Sequence, residues 1–325
     1  MNRDAPILHA SAVLWQEAVC FLLLGMEKAG FMAYNKIVWG EHVMKLHTEK
    51  QMIETGAGRM KLIILRPSEL AEKVPGILWI HGGGYSTGMA EMVHVSRGAD
   101  AARRYGAVVV SPEYRLSGQA PYPAALEDCY AALVWLKDHA EELGVRDDQI
   151  MVGGESAGGG LAAAVCMAAR DRGEVNVAFQ MPLYPMLDCR DTESSRNNHG
   201  KIWNTEKNHR GWQQYLGDLY GRTEVPPYAS PARQTDYRSL PPAYTFVCRG
   251  EPFYAETLAY IRHLNEAGVE AAADVYPGDV HAFDEFLALT PEGRRARMLF
   301  RERFRYAAAH YFAPQKKQED ENHAH

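Results

Sequence analysis

The clearest chemistry in the chain lies in Gly154-Glu155-Ser156-Ala157-Gly158. These residues close the apolar run Ile150-Met151-Val152-Gly153 and open the small-residue run Gly159-Gly160-Leu161-Ala162-Ala163-Ala164. That order predicts a strand, a sharp turn and a helix, with a serine at the apex. A serine hydroxyl is a weak nucleophile in water, so it needs a strained, exposed position beside a base, and flanking glycines let strand and helix pass closely beneath it. A second motif, His81-Gly82-Gly83-Gly84-Tyr85, follows another apolar run, Ile77-Leu78-Trp79-Ile80. Glycines after a strand form a loop whose backbone N–H groups can turn toward a developing oxyanion, and the helix after Ser156 offers the N–H of Ala157 for the same purpose. Together the two motifs describe acyl transfer. Taken singly, the serine motif also fits a plain tight turn, and the glycine-rich loop also fits a phosphate cradle. No Lys-Ser/Thr follows that loop and no acidic residue ends a second strand in dinucleotide-binding style, which disfavours nucleotide binding.

A serine at such a turn needs a general base delivered from a loop beyond a late strand. His281, just after Val275-Tyr276-Pro277-Gly278-Asp279-Val280, meets that requirement best. His263 and His310 fall within helical patterns, and His199 and His209 within a separate segment, so these read as solvated or packing residues. His81 reads as a structural partner of its own loop. The orienting acid is expected at the end of the preceding strand, where 243–248 runs into Arg249-Gly250-Glu251-Pro252-Phe253. Glu251 is therefore the candidate, fixing the His281 tautomer and stabilising its imidazolium. Glu256, Asp279 and Asp284 stay open as alternatives.

These residues need a scaffold, and the chain of 325 residues with 46% hydrophobic content can bury the core of one large α/β domain. Apolar runs at 61–65, 77–80, 107–111, 150–153, 177–181, 243–248 and 272–276 predict strands. Helical patterns at 95–105, 124–143, 157–172, 255–267 and 291–311 fall between and after them. The alternation predicts a mostly parallel sheet covered on both faces. Two regions depart from it: residues 1–50, with a helical stretch of large apolar side chains, and 189–235, with Trp203, Trp212, Tyr215, Leu216 and Tyr220 at helix-like spacing. Both are expected to form a cap, the second as an insertion in a catalytic domain spanning 51–313, and 314–325 is expected to be a disordered tail. The aromatic residues also fit an ordinary inter-helix core.

The net charge of −6 carries no basic cluster, which argues against nucleic acid or an anionic membrane surface as partner. The apolar stretch within 11–26 is too short to span a bilayer and lacks a cleavage site. Five cysteines without a Cys-x-x-Cys pair read as reduced core thiols of a cytoplasmic protein. Neither a metal site nor a cofactor is expected.

The chain's motifs, His81-Gly82-Gly83-Gly84, Tyr114-Arg115-Leu116, Pro123-Ala124-Ala125-Leu126-Glu127-Asp128, Gly154-Glu155-Ser156-Ala157-Gly158-Gly159, Glu251-Pro252-Phe253 and His281-Ala282-Phe283, resemble the hormone-sensitive-lipase-like esterases of the α/β-hydrolase superfamily, over about 61–312. The resemblance implies a serine carboxylesterase for short acyl esters, with Ser156 as nucleophile, His281 as base and the N–H groups of Gly83, Gly84 and Ala157 as oxyanion hole. It also implies an N-terminal cap, no cofactor, and a homodimer paired through an edge strand, 243–248 or 272–276. The chain departs from the family where Glu251-Pro252 replaces the usual Asp-Pro, Glu155 the commoner Asp, and Ser117-Gly118-Gln119 the usual Ala-Pro-Glu. An amide or an acetylated sugar as substrate would use the same residues. A catalytically silent ligand-binding receptor on this fold would lack the base, and His281 is present.

Overall fold

The computed structural model describes residues 43–70 and 72–316. Its strands are β1 (Leu46–Thr55), β2 (Gly58–Pro67), β3 (Val74–Ile80), β4 (Val108–Pro112), β5 (Val145–Glu155), β6 (Phe179–Leu183), β7 (Ala243–Cys248) and β8 (Ala271–Tyr276), of which β2 to β8 fall on the seven apolar runs with some ends shifted or extended. They form one sheet in the order β1-β2-β4-β3-β5-β6-β7-β8. β2 runs antiparallel to β1 and β4, and the other pairs are parallel. The central strands lack polar alternation because helices cover both faces.

The principal helices are α1 (Arg97–Tyr105), α2 (Ala124–Asp138), α3 (Ala140–Leu143), α4 (Ala157–Arg172), α5 (Thr205–Leu216), α6 (Tyr254–Glu266), α7 (Phe283–Phe286) and α8 (Pro291–His310). On one face, Leu126 and Leu133 of α2 and Val165 of α4 share a core with Leu78 and Val152. On the other, Ala99 of α1 and Phe300 and Phe304 of α8 pack with Trp79 and Val109. Local chemistry sets the helix ends. Ser96 accepts from Ala99 N at the start of α1 and Thr290 from Gly293 N at the start of α8, with Pro291 in the first turn. Each such cap contributes about 1 kcal/mol.

Several expectations change. β1 was not anticipated, because Leu46–Thr55 is polar on both sides and buries only Ile53. A domain boundary at 50 therefore cuts a strand of the catalytic sheet, and the cap expected over 1–50 lies outside the described residues up to 42. The helix expected over 124–143 breaks at His139, whose φ of −105° and ψ of 13° leave the helical region. The tail remains docked past 314: Asn176 Nδ2 donates to Pro314 O at 2.5 Å, and Gln315 Nε2 donates to Asp147 O at 2.9 Å. Residues 317–325 lie outside the described residues. Of the two strands considered for pairing between copies, only β8 is a sheet edge, since β7 lies between β6 and β8. Among the described residues, no helix is long and apolar enough to cross a membrane, no acidic, His or Cys cluster could hold a metal ion, and Cys129, Cys166, Cys189 and Cys248 are free thiols.

Candidate active site

Ser156 stands between the end of β5 and the start of α4 with φ 57° and ψ −119°, a conformation a non-glycine residue holds only when its surroundings enforce it. Here Ser156 N donates to Leu183 O at 3.0 Å, and Ser156 O accepts from Gly160 N and Met186 N, both at 3.0 Å. The glycines on either side are a steric necessity. A Cβ on Gly158 would lie 2.1 Å from Ile80 O and 2.4 Å from His81 O, and one on Gly154 would lie 2.4 Å from Gly158 O.

The loop after β8 brings His281 to this turn. Its Nε2 lies 2.8 Å from Ser156 Oγ, and its Nδ1 lies 2.5 Å from Glu251 Oε2. A carboxylate has no proton to give, so Nδ1 carries the hydrogen and Nε2 is left to accept from the serine hydroxyl. Glu251 is itself fixed, its Oε1 accepting from Cys248 N at 3.3 Å. Burial pushes the Glu251 carboxyl up from its ordinary range, while the His281 ring and the Cys248 N–H act in the opposite direction. Tyr184 and Phe253 hold the imidazole edge-to-face, with ring centroids 5.1 and 5.0 Å away. Ser156, His281 and Glu251 are 8%, 4% and 1% exposed, so little bulk water competes for these hydrogen bonds.

Both ring nitrogens of His281 are thus committed, and the other acids are engaged elsewhere. Glu256 accepts from Leu187 N at 2.6 Å and Asp188 N at 3.2 Å, and Asp284 faces Arg97 Nε at 3.2 Å. Asp279 packs against Gly250. Among the other histidines, His209 pairs with Asp191 at 2.7 Å and His310 bonds to Tyr306 O, both exposed. His81 faces its own loop at Gly82 O, 2.7 Å away, and stacks on Tyr114 at 4.2 Å, and burial lowers its pKa to about 4.

The glycine-rich loop crosses directly over the serine, since a Cβ on Gly82 would lie 3.3 Å from Ser156 Cβ. Gly83 and Gly84 have φ of 116° and 59°, and Gly83 O accepts from Thr87 N at 3.0 Å, closing the turn. Both glycines line a cavity of about 180 Å³ together with Ser156, His281, Trp203 and Phe286. Ala157, the third candidate donor, is the buried first residue of α4. The aromatic residues of 189–235 divide by role. Trp212 and Tyr215 of α5 pack on Tyr85, with centroids 5.4 and 3.9 Å away, and belong to the core, whereas Trp203 reaches the cavity.

Sequence reasoning missed a buried network beneath the site. Glu155 Oε2 accepts from Trp79 Nε1 at 2.9 Å and Oε1 from Arg97 N at 3.2 Å, while the Arg97 guanidinium meets Asp284. The residue before the serine and the helix after the histidine are tied through one arginine. Burial pushes the Glu155 carboxyl up to about 7. The positions of Glu155 beside Ser156 and Asp284 beside His281 were the only sequence signals; Arg97 carried none.

The family described as alpha/beta hydrolase fold matches residues 77–285. The carboxylesterase NlhH of Mycobacterium tuberculosis is 31% identical over 71% of this chain and 73% of its own. An ethyl acetate hydrolase of Pseudomonas putida is 31% identical over 64% of this chain and 65% of its own. Among solved structures, a bacterial heroin esterase superposes with a TM-score of 0.77 at 32% identity, covering 86% of this chain and 90% of that one. The chain belongs to the α/β-hydrolase family and, within it, to the hormone-sensitive-lipase-like carboxylic ester hydrolases that its motifs resemble.

Proposed function

We propose that the protein is a serine carboxylesterase that hydrolyses short acyl esters through an acyl-enzyme. The observation that carries this reading is the continuous chain from Glu251 through His281 to Ser156, ending in a hydroxyl held on a strained turn at the wall of a cavity. Ser156 Oγ attacks the ester carbonyl as His281 Nε2 takes its proton, and Glu251 stabilises the imidazolium that forms. The N–H groups of Gly83, Gly84 and Ala157 receive the charge that develops on the carbonyl oxygen. His281 then returns the proton to the leaving alcohol, and water, activated by the same ring, releases the acyl group.

The small cavity, walled by Trp203 and Phe286, and the ethyl acetate hydrolase among the relatives support short acyl groups. A cytoplasmic location belongs to the same proposal, supported by the free thiols Cys129, Cys166, Cys189 and Cys248. So does a homodimer joined through edge strand β8, which sedimentation at micromolar concentration checks. A panel of p-nitrophenyl acetate, butanoate and dodecanoate beside sugar acetates tests the activity. Turnover of the short nitrophenyl esters is expected; turnover of sugar acetates alone would make the enzyme a deacetylase, and turnover of none would refute the proposal.

A further inference from the structure

The cavity beside Ser156 is lined largely by apolar residues, among them Met92, Val95, Ile202 and Phe286, yet two acidic residues are part of its wall, Glu155 and Glu285. Glu155 has both oxygens engaged, by Trp79 Nε1 and Arg97 N. Glu285 lies on α7, in the helical turn that follows His281, and is half-buried. No hydrogen bond or ion pair joins its carboxyl to the described residues. A carboxyl group in an apolar wall is unfavourable unless something hydrogen-bonds or pairs with it.

The surroundings determine what kind of group that is. Burial, together with the neighbouring carboxyls of Glu155 and Asp284, holds the Glu285 carboxyl well above the usual carboxylate range, and Arg97, already facing Asp284, only partly offsets them. A neutral acyl chain beside it leaves this imbalance unchanged. A cation restores the carboxylate, forms a charge-assisted hydrogen bond with it, and reduces the excess of acidic over basic groups around the cavity.

We propose that Glu285 makes this cavity selective for esters carrying a protonated amine on the part of the molecule that occupies it. The proposal rests on the esterase reading above and adds the substrate class. Two pairs of probes of matched shape test it by titration of released acid: β-alanine methyl ester against methyl butanoate, which places the amine on the acyl side, and 2-(dimethylamino)ethyl acetate against 3-methylbutyl acetate, which places it on the alcohol side. In each pair the readout is the ratio of kcat/KM for the amine ester to that of its neutral partner. In at least one pair this ratio is expected to fall about ten- to a hundredfold in Glu285→Gln and much less in Glu285→Asp, the range typical of a hydrogen bond to a charged group. Ratios unchanged in both pairs would overturn the proposal.

Competition on the unaltered enzyme gives an answer that does not depend on a variant folding. n-Propylammonium is expected to inhibit hydrolysis of p-nitrophenyl acetate at a concentration at least about tenfold lower than butan-2-one does. Equal inhibition would count against the proposal. Hydrolysis of none of the four esters would refute the esterase reading and this proposal with it, whereas hydrolysis of only the neutral esters would refute this proposal alone.

Discussion

Replacing Glu251 with Gln keeps the size and shape of the side chain and removes the charge facing His281. In the resting protein the Gln carbonyl can still accept from Nδ1 of the neutral imidazole, and the lesser cost is that its NH2 then faces Cys248 N, which donates to Glu251 Oε1 at 3.3 Å in the wild type. In the transition state His281 becomes an imidazolium 2.5 Å from the Glu251 oxygen, in a place where Glu251 is 1% exposed. Opposite charges centred about 4 Å apart attract by about 4 kcal/mol at an effective dielectric constant near 20. Each 1.4 kcal/mol is a factor of ten, so the charge is worth about three orders of magnitude in rate. The attraction exists only when the ring is protonated, so kcat should fall by that amount with little change in KM. Initial rates with p-nitrophenyl acetate over a range of concentrations measure both, and circular dichroism checks that the variant is folded. A Glu251→Gln enzyme within threefold of wild type, beside an inactive Glu256→Gln or Asp279→Asn, would refute the assignment of the acid while leaving those of Ser156 and His281 in place.

Butanoyl esters should be turned over with higher kcat/KM than dodecanoyl esters, since Trp203 and Phe286 wall the cavity, and a series of p-nitrophenyl esters tests this; a preference for dodecanoyl would contradict it. Burial pushes the Glu155 carboxyl up to about 7, above its unfolded value near 4.5, so the part of the stability that Glu155 itself carries should fall as pH rises from about 4.5 to 7, against the opposite contribution of His81 and His94, both lowered to about 4. Urea unfolding at several pH values should show the stability of wild type relative to Glu155→Gln falling over this range, and a constant difference would argue against it. Gly158→Ala should destabilise by about 1–3 kcal/mol or more, because its Cβ would meet backbone oxygens of Ile80 and His81 that cannot move independently. An unchanged urea midpoint would show that the turn is looser than described.

The parts of the fold legible in the sequence are those that local composition decides. The cores of β3 and β5, residues 77–80 and 150–153, are continuous apolar runs, and α4 begins at Ala157 and ends at Arg172, where the small-residue pattern starts and stops. Glu251 and His281 were legible from the strand ends before them, although they lie 30 residues apart and Ser156 lies 125 residues from the histidine. β1 was not legible, because its polar sequence takes its conformation from pairing with β2 along Leu46–Thr55. Trp203 and Trp212 look alike in sequence, and only tertiary packing sends one to the cavity and the other onto Tyr85. The Arg97 network is illegible in the sequence for a related reason. A buried charge pattern has no periodicity, and its partners Glu155 and Asp284 come from distant turns that the sheet brings together.

Whether Ser156 is the nucleophile is decided most directly by labelling with a fluorophosphonate followed by peptide mass spectrometry. One adduct per chain is expected on the peptide containing Ser156, with hydrolysis of p-nitrophenyl acetate lost in proportion to labelling. No adduct is expected in Ser156→Ala, whose turnover should be lower by on the order of a thousandfold or more. An adduct on another residue, or near-native hydrolysis by Ser156→Ala, would contradict that role.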